Sequence, residues 1–259
     1  AATASAVVVN DNATASVTKV TVDGYTGATI GAGGSINALT NLSLANGTGT
    51  AALTTTQTAL NLTVNKVAGT VNLGASVTNL TVNANSADSK FVLSATGVTT
   101  ATVNAAAALD LSGGTFANVE TVTVTGTGNV NFGNISAQTT KLTSTSSGGV
   151  IAQVAGAKAV VTTGDGADTI SVTGAMTKAI SLGGGDDTLA IDNVTTPTAA
   201  VDGGTGVNTL AMSSANAMTA ASGSTFAPKF TNFQKLSLGA VVDAATDNVN
   251  LANLNYINY

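Results

Sequence analysis

Leu80-Thr81-Val82, Ala101-Thr102-Val103 and Val122-Thr123-Val124 are three copies of one phrase, aliphatic then polar then aliphatic, at an even spacing along the chain. Alternation of this kind is the mark of a strand with one face buried. The phrase extends in both directions. Towards the N-terminus it reads Leu62-Thr63-Val64, Leu42-Ser43-Leu44 and Val20-Thr21-Val22. Towards the C-terminus it weakens to Leu142-Thr143-Ser144, Val160-Val161-Thr162, Ile180-Ser181-Leu182 and Ala199-Ala200-Val201, and after a gap it returns as Leu236-Ser237-Leu238. Consecutive starts up to Ala199 keep close to one period throughout. A near-constant period means that each strand repeats the job of its predecessor, and such a unit buries its apolar face only by stacking on its neighbours. The expectation is an all-β chain, a parallel β-solenoid of the β-helix or β-roll kind, with roughly ten coils of about 20 residues. A β-sandwich also spaces strands regularly, but its strands recur at roughly half that interval and turn back through short hairpins. The Asn-Gly and Asp-Gly signals of such hairpins are sparse here.

The composition suits narrow, stacked interiors. Of 259 residues, 44% are hydrophobic but only 3% aromatic, and the chain has no Trp, Cys, His or Arg. Small and β-branched side chains fill a thin strand-walled core. Glycine and asparagine clusters between the phrases, such as Gly31 to Gly34 and Asn46 to Gly49, supply corners. The lysines are scattered from Lys19 to Lys235 and the net charge is −5, so nucleic acid is excluded as an expected partner. No apolar run long enough for a membrane span is present, and none is expected. Zero cysteines removes disulfides and thiol chemistry. The chain opens Ala1-Ala2-Thr3 and reads as a processed chain or an excised domain.

Charge is concentrated in one window. Six of the 13 acidic residues, Asp165, Asp168, Asp186, Asp187, Asp192 and Asp202, fall between Thr163 and Leu210. The window holds three glycine-rich loops: Thr163-Gly164-Asp165-Gly166-Ala167-Asp168-Thr169-Ile170, Leu182-Gly183-Gly184-Gly185-Asp186-Asp187-Thr188-Leu189, and Gly203-Gly204-Thr205-Gly206-Val207-Asn208-Thr209-Leu210. Carboxylates beside the exposed carbonyls of glycine turns are the oxygen set that Ca²⁺ takes. The step from Asp168 to Asp187 and the step from Asp187 to Asn208 each match one coil, so one loop falls on each coil. The candidate metal ligands are Gly164, Asp165, Gly166, Asp168, Gly183, Gly185, Asp186, Asp187, Asp202, Gly204, Gly206 and Asn208, and the bland alternative is that the loops are merely tight corners. Stacked like charges repel until a cation neutralises them, which would couple metal binding to folding. Further calcium could sit at contacts between copies, near Asp243 and Asp247.

Three segments are expected: a solenoid with Asn, Gly and Thr corners over 1–160, calcium-binding coils continuous with it over 161–212, and a less regular capping or docking segment over 213–259. The last is richer in aromatics (Phe226, Phe230, Phe233, Tyr256, Tyr259), and helix is expected only near Ala215 to Ala221.

The three loops resemble the nonapeptide repeat Gly-Gly-x-Gly-x-Asp-x-aliphatic-x of the RTX family of secreted calcium-binding proteins. Thr163 and Leu182 stand where its first glycine would be in the first two copies, and Asn208 stands for the aspartate in the third. The resemblance implies a glycine loop whose aspartate and carbonyls grip Ca²⁺, and two ions between the three stacked loops. With the low charge and the Thr, Ala, Gly and Asn richness, it extends to the calcium-dependent surface-layer (S-layer) proteins that Gram-negative bacteria export by type I secretion. Asn118-Val119-Glu120-Thr121-Val122-Thr123-Val124 and Phe233-Gln234-Lys235-Leu236-Ser237-Leu238 look like the strand phrase of their assembly domains.

Catalysis finds few candidates. There is no His, no Cys and no Arg, and the carboxylates that could pair as in a glycosidase, Asp23, Asp88, Asp110 and Glu120, sit on different coils. No enzyme is expected. The resemblance implies a structural protein of a bacterial cell-surface layer, secreted and extracellular, self-assembling with calcium into a lattice or tubule, with lipopolysaccharide or the outer-membrane surface as a further partner through another region. The alternatives are an RTX adhesin or biofilm matrix protein with a solenoid spacer and, behind it, a polysaccharide-degrading solenoid enzyme. The Thr and Asn ladders read as stacked face and corner residues, with an ice- or glycan-binding face as the minor alternative.

Overall fold

The computed structural model describes residues 6–11, 16–31 and 36–239. The chain is a parallel β-solenoid of about nine turns with roughly 21 residues per turn, and it divides into two compact units, residues 1–138 and 139–259. In the first unit, the strands Lys19–Asp23, Asn41–Ala45, Ala59–Asn65, Asn79–Ala84, Thr100–Ala105 and Thr121–Gly126 form one continuous parallel sheet. A second wall joins Ala6–Val9, Gly27–Ile30, Thr50–Leu53, Thr70–Asn72 and Val92–Ser94, and a third joins Ser89–Lys90, Leu109–Asp110 and Val130–Asn134. The second unit has two walls, one of Lys141–Ser144, Val160–Thr162, Ile180–Ser181, Val201–Asp202 and Phe230–Thr231. The other is made of Val150–Ala155, Thr169–Thr173, Thr188–Ile191, Thr209–Ser213 and Lys235–Gly239. Parallel pairing throughout these walls rules out the sandwich, whose neighbours run antiparallel.

Inward positions stack on one another from turn to turn, mostly apolar on apolar. In the first unit Val20, Leu42, Leu62, Val82, Val103 and Val124 are partners in register, all buried. Each fully buried aliphatic side chain of this size is worth about 1.5–3 kcal/mol. The register differs from a simple reading of the phrases in three places: Leu62 pairs with Val82 and Leu80 with Leu60, Leu142 pairs with the buried Val161 and not with the exposed Val160, and Ile180 pairs with Val201 and not with Ala199. Ala59–Asn65 is a seven-residue strand with three inward positions, so the phrase repeats within it, and the short step from Leu62 to Leu80 hides the true offset from Leu62 to Val82. Because a strand alternates faces with period two, the slip by two keeps every side chain on its own face.

Aromatic residues are placed singly or in small groups. Phe116 meets Phe132 edge-on at 6.0 Å, and in the second unit Phe230 lies 4.6 Å from Phe226 and 6.0 Å from Phe233. Helix forms at Ser214–Ala221, where the Ser213 side chain accepts the Asn216 N–H as N-cap. Asp243, Asp247, Tyr256 and Tyr259 lie outside the described residues.

Candidate functional site

The Gly/Asp loops sit at one corner of the second unit and stack directly on each other. Gly183 and Gly204 have φ of 77° and 78°, Gly185 and Gly206 have 117° and 115°, so the second and third loops trace the same path. Glycine enters that region of backbone space at least cost. Close stacking is the second reason for glycine: a Cβ on Gly204 would overlap the Gly183 carbonyl oxygen, and one on Gly183 would overlap that of Gly164. Gly164 and Gly166 of the first loop have no positive φ but pack as tightly, on Ser146 and Gly148. Backbone bonds tie loop to loop, from Gly184 N to Gly164 O, Thr205 N to Gly183 O and Gly185 N to Thr205 O.

Inside this corner runs a ladder of side chains, each capping the preceding turn. Asp168 Oδ1 accepts the Val150 N–H at 2.6 Å, Asp187 Oδ1 accepts that of Asp168 at 2.8 Å, and Asn208 Oδ1 accepts that of Asp187 at 2.9 Å. Gln234 Oε1 closes it on the Asn208 N–H at 2.7 Å. Asp168, Asp187 and Asn208 are at most 1% exposed. The three rungs differ at their second terminal atom. Asn208 Nδ2 donates to Asn232 O at 2.9 Å and lies 3.4 Å from Gly204 O. Asp168 Oδ2 and Asp187 Oδ2 are buried and have no hydrogen-bond partner among the described residues. The Thr163 hydroxyl beside Asp168 has one proton and spends it on Leu182 O at 2.7 Å.

These surroundings shift both carboxyls in the same direction. Burial pushes Asp168 up to about 6, outweighing the opposing pull of the Thr163 and Val150 groups. Burial likewise pushes Asp187 up to about 7, the Asp168 N–H pulling the other way and the charges of Asp168 and Asp186 adding to the rise. The remaining predicted ligands face elsewhere. Asp165 and Asp186 are turned away from the ladder, and Asp186 Oδ1 accepts the Val207 N–H at 2.8 Å. Asp202 Oδ1 accepts from Gly204 N at 2.9 Å and from Asn232 Nδ2 at 2.7 Å; the Gly204 bond foremost holds its carboxyl below the usual range despite partial burial.

For a hard cation the fitting donors are thus the two unpartnered oxygens of Asp168 and Asp187, one from each of two stacked loops. The loop carbonyls of Gly164, Gly183 and Thr205 already accept an N–H, each with a second lone pair in reserve. Asn208 spends its oxygen on the Asp187 N–H. Among the described residues no group of three or more His, Cys, Asp or Glu converges.

Asn232 and Gln234 are the participants that sequence reasoning missed. Gln234 follows Asn208 by more than one coil, because the helix is inserted between them, and so falls off the coil period. The carboxylates weighed for catalysis are held locally. Asp110 Oδ2 pairs with Lys90 at 2.8 Å, Asp88 Oδ1 accepts the Ala108 N–H at 3.0 Å, and Asp23 Oδ1 accepts from Asn46 Nδ2 at 2.7 Å. No helix among the described residues is long and apolar enough to cross a membrane. No family model matches the chain, and neither the curated proteins nor the solved structures contain a match to it.

Proposed function

We propose that the chain is a structural protein, the wall of a surface layer outside a Gram-negative bacterial cell, which associates with further copies of itself and takes up calcium at its Gly/Asp corner. The observation that carries this reading is the register of the loops with the turns. Asp168, Asp187 and Asn208 occupy one position on successive turns, so a cation taken up there would tie turn to turn and stiffen the wall itself. Asp168 and Asp187 would hold it through their unpartnered oxygens. Its charge would let both carboxyls ionise in the interior, which is the sense in which binding and folding become one equilibrium. A site with two carboxylates belongs to the weak end of calcium affinity, about 10⁻⁴–10⁻³ M, suited to an extracellular module.

The same reading gives the chain no reaction to catalyse, its carboxylates being engaged in corners and in one surface ion pair. Attachment to lipopolysaccharide or the outer-membrane surface would use another region. Type I export follows from the RTX resemblance alone.

The test is assembly. Purified protein is dialysed into calcium or chelator, imaged by electron microscopy and sized by sedimentation, with calorimetry on Asp168→Asn/Asp187→Asn, which keeps the capping oxygens. Ordered sheets or tubules with calcium, and loss of the heat of binding in the variant, are expected. A chain that stays unassembled, with an oligomeric state indifferent to chelation, would sink the surface-layer reading; unchanged calcium stoichiometry in the variant would sink the loop assignment.

A further inference from the structure

The first unit presents an outer face that the calcium corner does not use. On the six-strand sheet from Lys19–Asp23 to Thr121–Gly126, the outward residues of successive turns fall in straight columns. One column that runs through all six strands is Thr21, Ser43, Thr63, Asn83, Asn104 and Thr125; beside it run Lys19, Asn41, Asn61, Thr81, Thr102 and Thr123 on one side and, over the first three strands, Asp23, Ala45 and Asn65 on the other. From Asn41–Ala45 onward every outward position on those strands is Thr, Ser, Asn or Ala, with no charge and no large apolar side chain. The side chains brace one another: Asn104 Nδ2 donates to Asn83 Oδ1 at 2.8 Å, and Thr125 Oγ1 to Asn104 Oδ1 at 2.7 Å. Bracing of this kind lowers the ordering cost on contact.

Charge appears on these strands only on the first, as Lys19 and Asp23, both exposed, with Thr21 between them. Lys19 starts one flanking column and Asp23 the other. A two-fold axis laid along the Thr21 column exchanges the Lys19 and Asp23 columns over the first three strands, where both are present. Lys19 of one copy then faces Asp23 of the second, and Asp23 faces Lys19, so the charges of the face are self-complementary. Such mutual pairing is what an isologous contact requires. Elsewhere a chain of net charge −5 repels its own copy, and this sheet is free of that repulsion.

The structure assigns to this sheet the role of a two-fold contact with a second copy of the chain, aligned by Lys19 and Asp23. The assignment deepens the self-assembly reading and rests on it. Six strands about 4.8 Å apart and at most five residues of about 3.3 Å each give a footprint of at most about 500 Å² per partner. A stable pair needs about 800 Å² a side. The contact is therefore weak alone and gains strength where many copies engage at once.

Sedimentation velocity over a concentration series, with and without calcium, tests it on the full chain. The wild type is expected to associate weakly. Asn83→Arg, which sets two guanidinium groups against each other on the axis, and Lys19→Asp should each weaken association by at least about tenfold. The exchange Lys19→Asp/Asp23→Lys should restore it. The face assignment is overturned if Asn83→Arg, with an unchanged circular dichroism spectrum, associates like the wild type. It is overturned equally if the exchange stays as weak as the single variant, and neither result touches the self-assembly reading, since the wild type still associates. A wild type monomeric at every concentration, with calcium or without, overturns both. Binding of ice or a soluble polysaccharide, lost in Asn83→Arg while self-association persists, gives the face to that partner instead.

Discussion

Replacing Asp187 by Asn separates the two ways the loop corner can be satisfied. The third rung already carries the amide. Asn208 gives its oxygen to the Asp187 N–H and its Nδ2 to the Asn232 carbonyl. At the second rung Asp187 Oδ1 accepts the Asp168 N–H, while Oδ2 is buried without a partner among the described residues. Burial is the first reason that its carboxyl is pushed up to about 7, against about 3.9 in an unfolded chain. The sign follows. A carboxyl that titrates higher in the folded state favours folding in its protonated form. That contribution is complete below about pH 4, declines as pH rises and is gone above about pH 7. At about 1.4 kcal/mol per unit, a rise of about three units amounts to about 4 kcal/mol. Asp168, pushed up to about 6, adds about 3 kcal/mol by the same reckoning. Both figures are ceilings, because loops relax and water enters.

In chelator, therefore, the wild type should be more stable to urea near pH 4.5 than near pH 8. Asp187→Asn should be more stable than the wild type near pH 8, by an amount approaching about 4 kcal/mol, and the two should converge near pH 4. The assay is urea unfolding followed by circular dichroism at three pH values. Saturating calcium should raise the wild type at the alkaline end and raise Asp187→Asn less, since one inward carboxylate remains there. An Asp187→Asn protein less stable than the wild type near pH 8 in chelator would refute the account of the buried oxygen.

Gln234→Ala removes the last acceptor of the ladder and leaves the Asn208 N–H buried and unpaired, a loss of about 1–3 kcal/mol. Hydrogen exchange should show it first at the amides of Asn208 and Asp187, and uniform exchange across the second unit would count against a ladder. Gly204→Ala places a Cβ against the Gly183 carbonyl at a φ of 78° and should cost more than about 2 kcal/mol; an unchanged melting temperature would contradict the stacked loops. Tyr25→Phe should be neutral or raise stability by up to about 2 kcal/mol, because the Tyr25 hydroxyl is buried with no partner among the described residues. A fall in melting temperature would mean that the hydroxyl is bonded.

Much of the architecture is legible in the sequence, because a solenoid repeats its local physics. Val20, Leu42 and Leu62 are recognisable as equivalent and prove to be stacked neighbours. The register at Leu62 is hidden by a strand long enough to hold the phrase twice, since alternation leaves a slip of two free, and at Val160-Val161-Thr162 two adjacent valines hide that Val161 is the inward one. At the candidate site, the loops are legible through glycine and the position of Asp168, Asp187 and Asn208 through spacing. The role of Gln234 depends on chain that returns after a helix. It does not follow from residue type.

The ladder also bears on why these positions are acidic. If the corner needed only capping of successive N–H groups, an amide would serve at every rung, and Asn208 shows it serving: its oxygen accepts, its nitrogen donates, and neither terminal atom is left unpaired. Asp168 and Asp187 perform the same capping with an oxygen left over in the interior, which disfavours folding at neutral pH unless a proton or a cation comes to it. A proton suits acid conditions only. At neutral pH the two leftover oxygens make structural sense together with a positive charge, which is what supports calcium at the Asp168–Asp187 pair and gives no such support at the Asn208 rung. The extent of calcium stabilisation should therefore follow the number of inward carboxylates. Asn208→Asp, which adds a third, should lower stability in chelator near pH 8 and increase the gain on adding calcium. A variant whose calcium response equals that of the wild type would show that the inward oxygens are not what the ion sees.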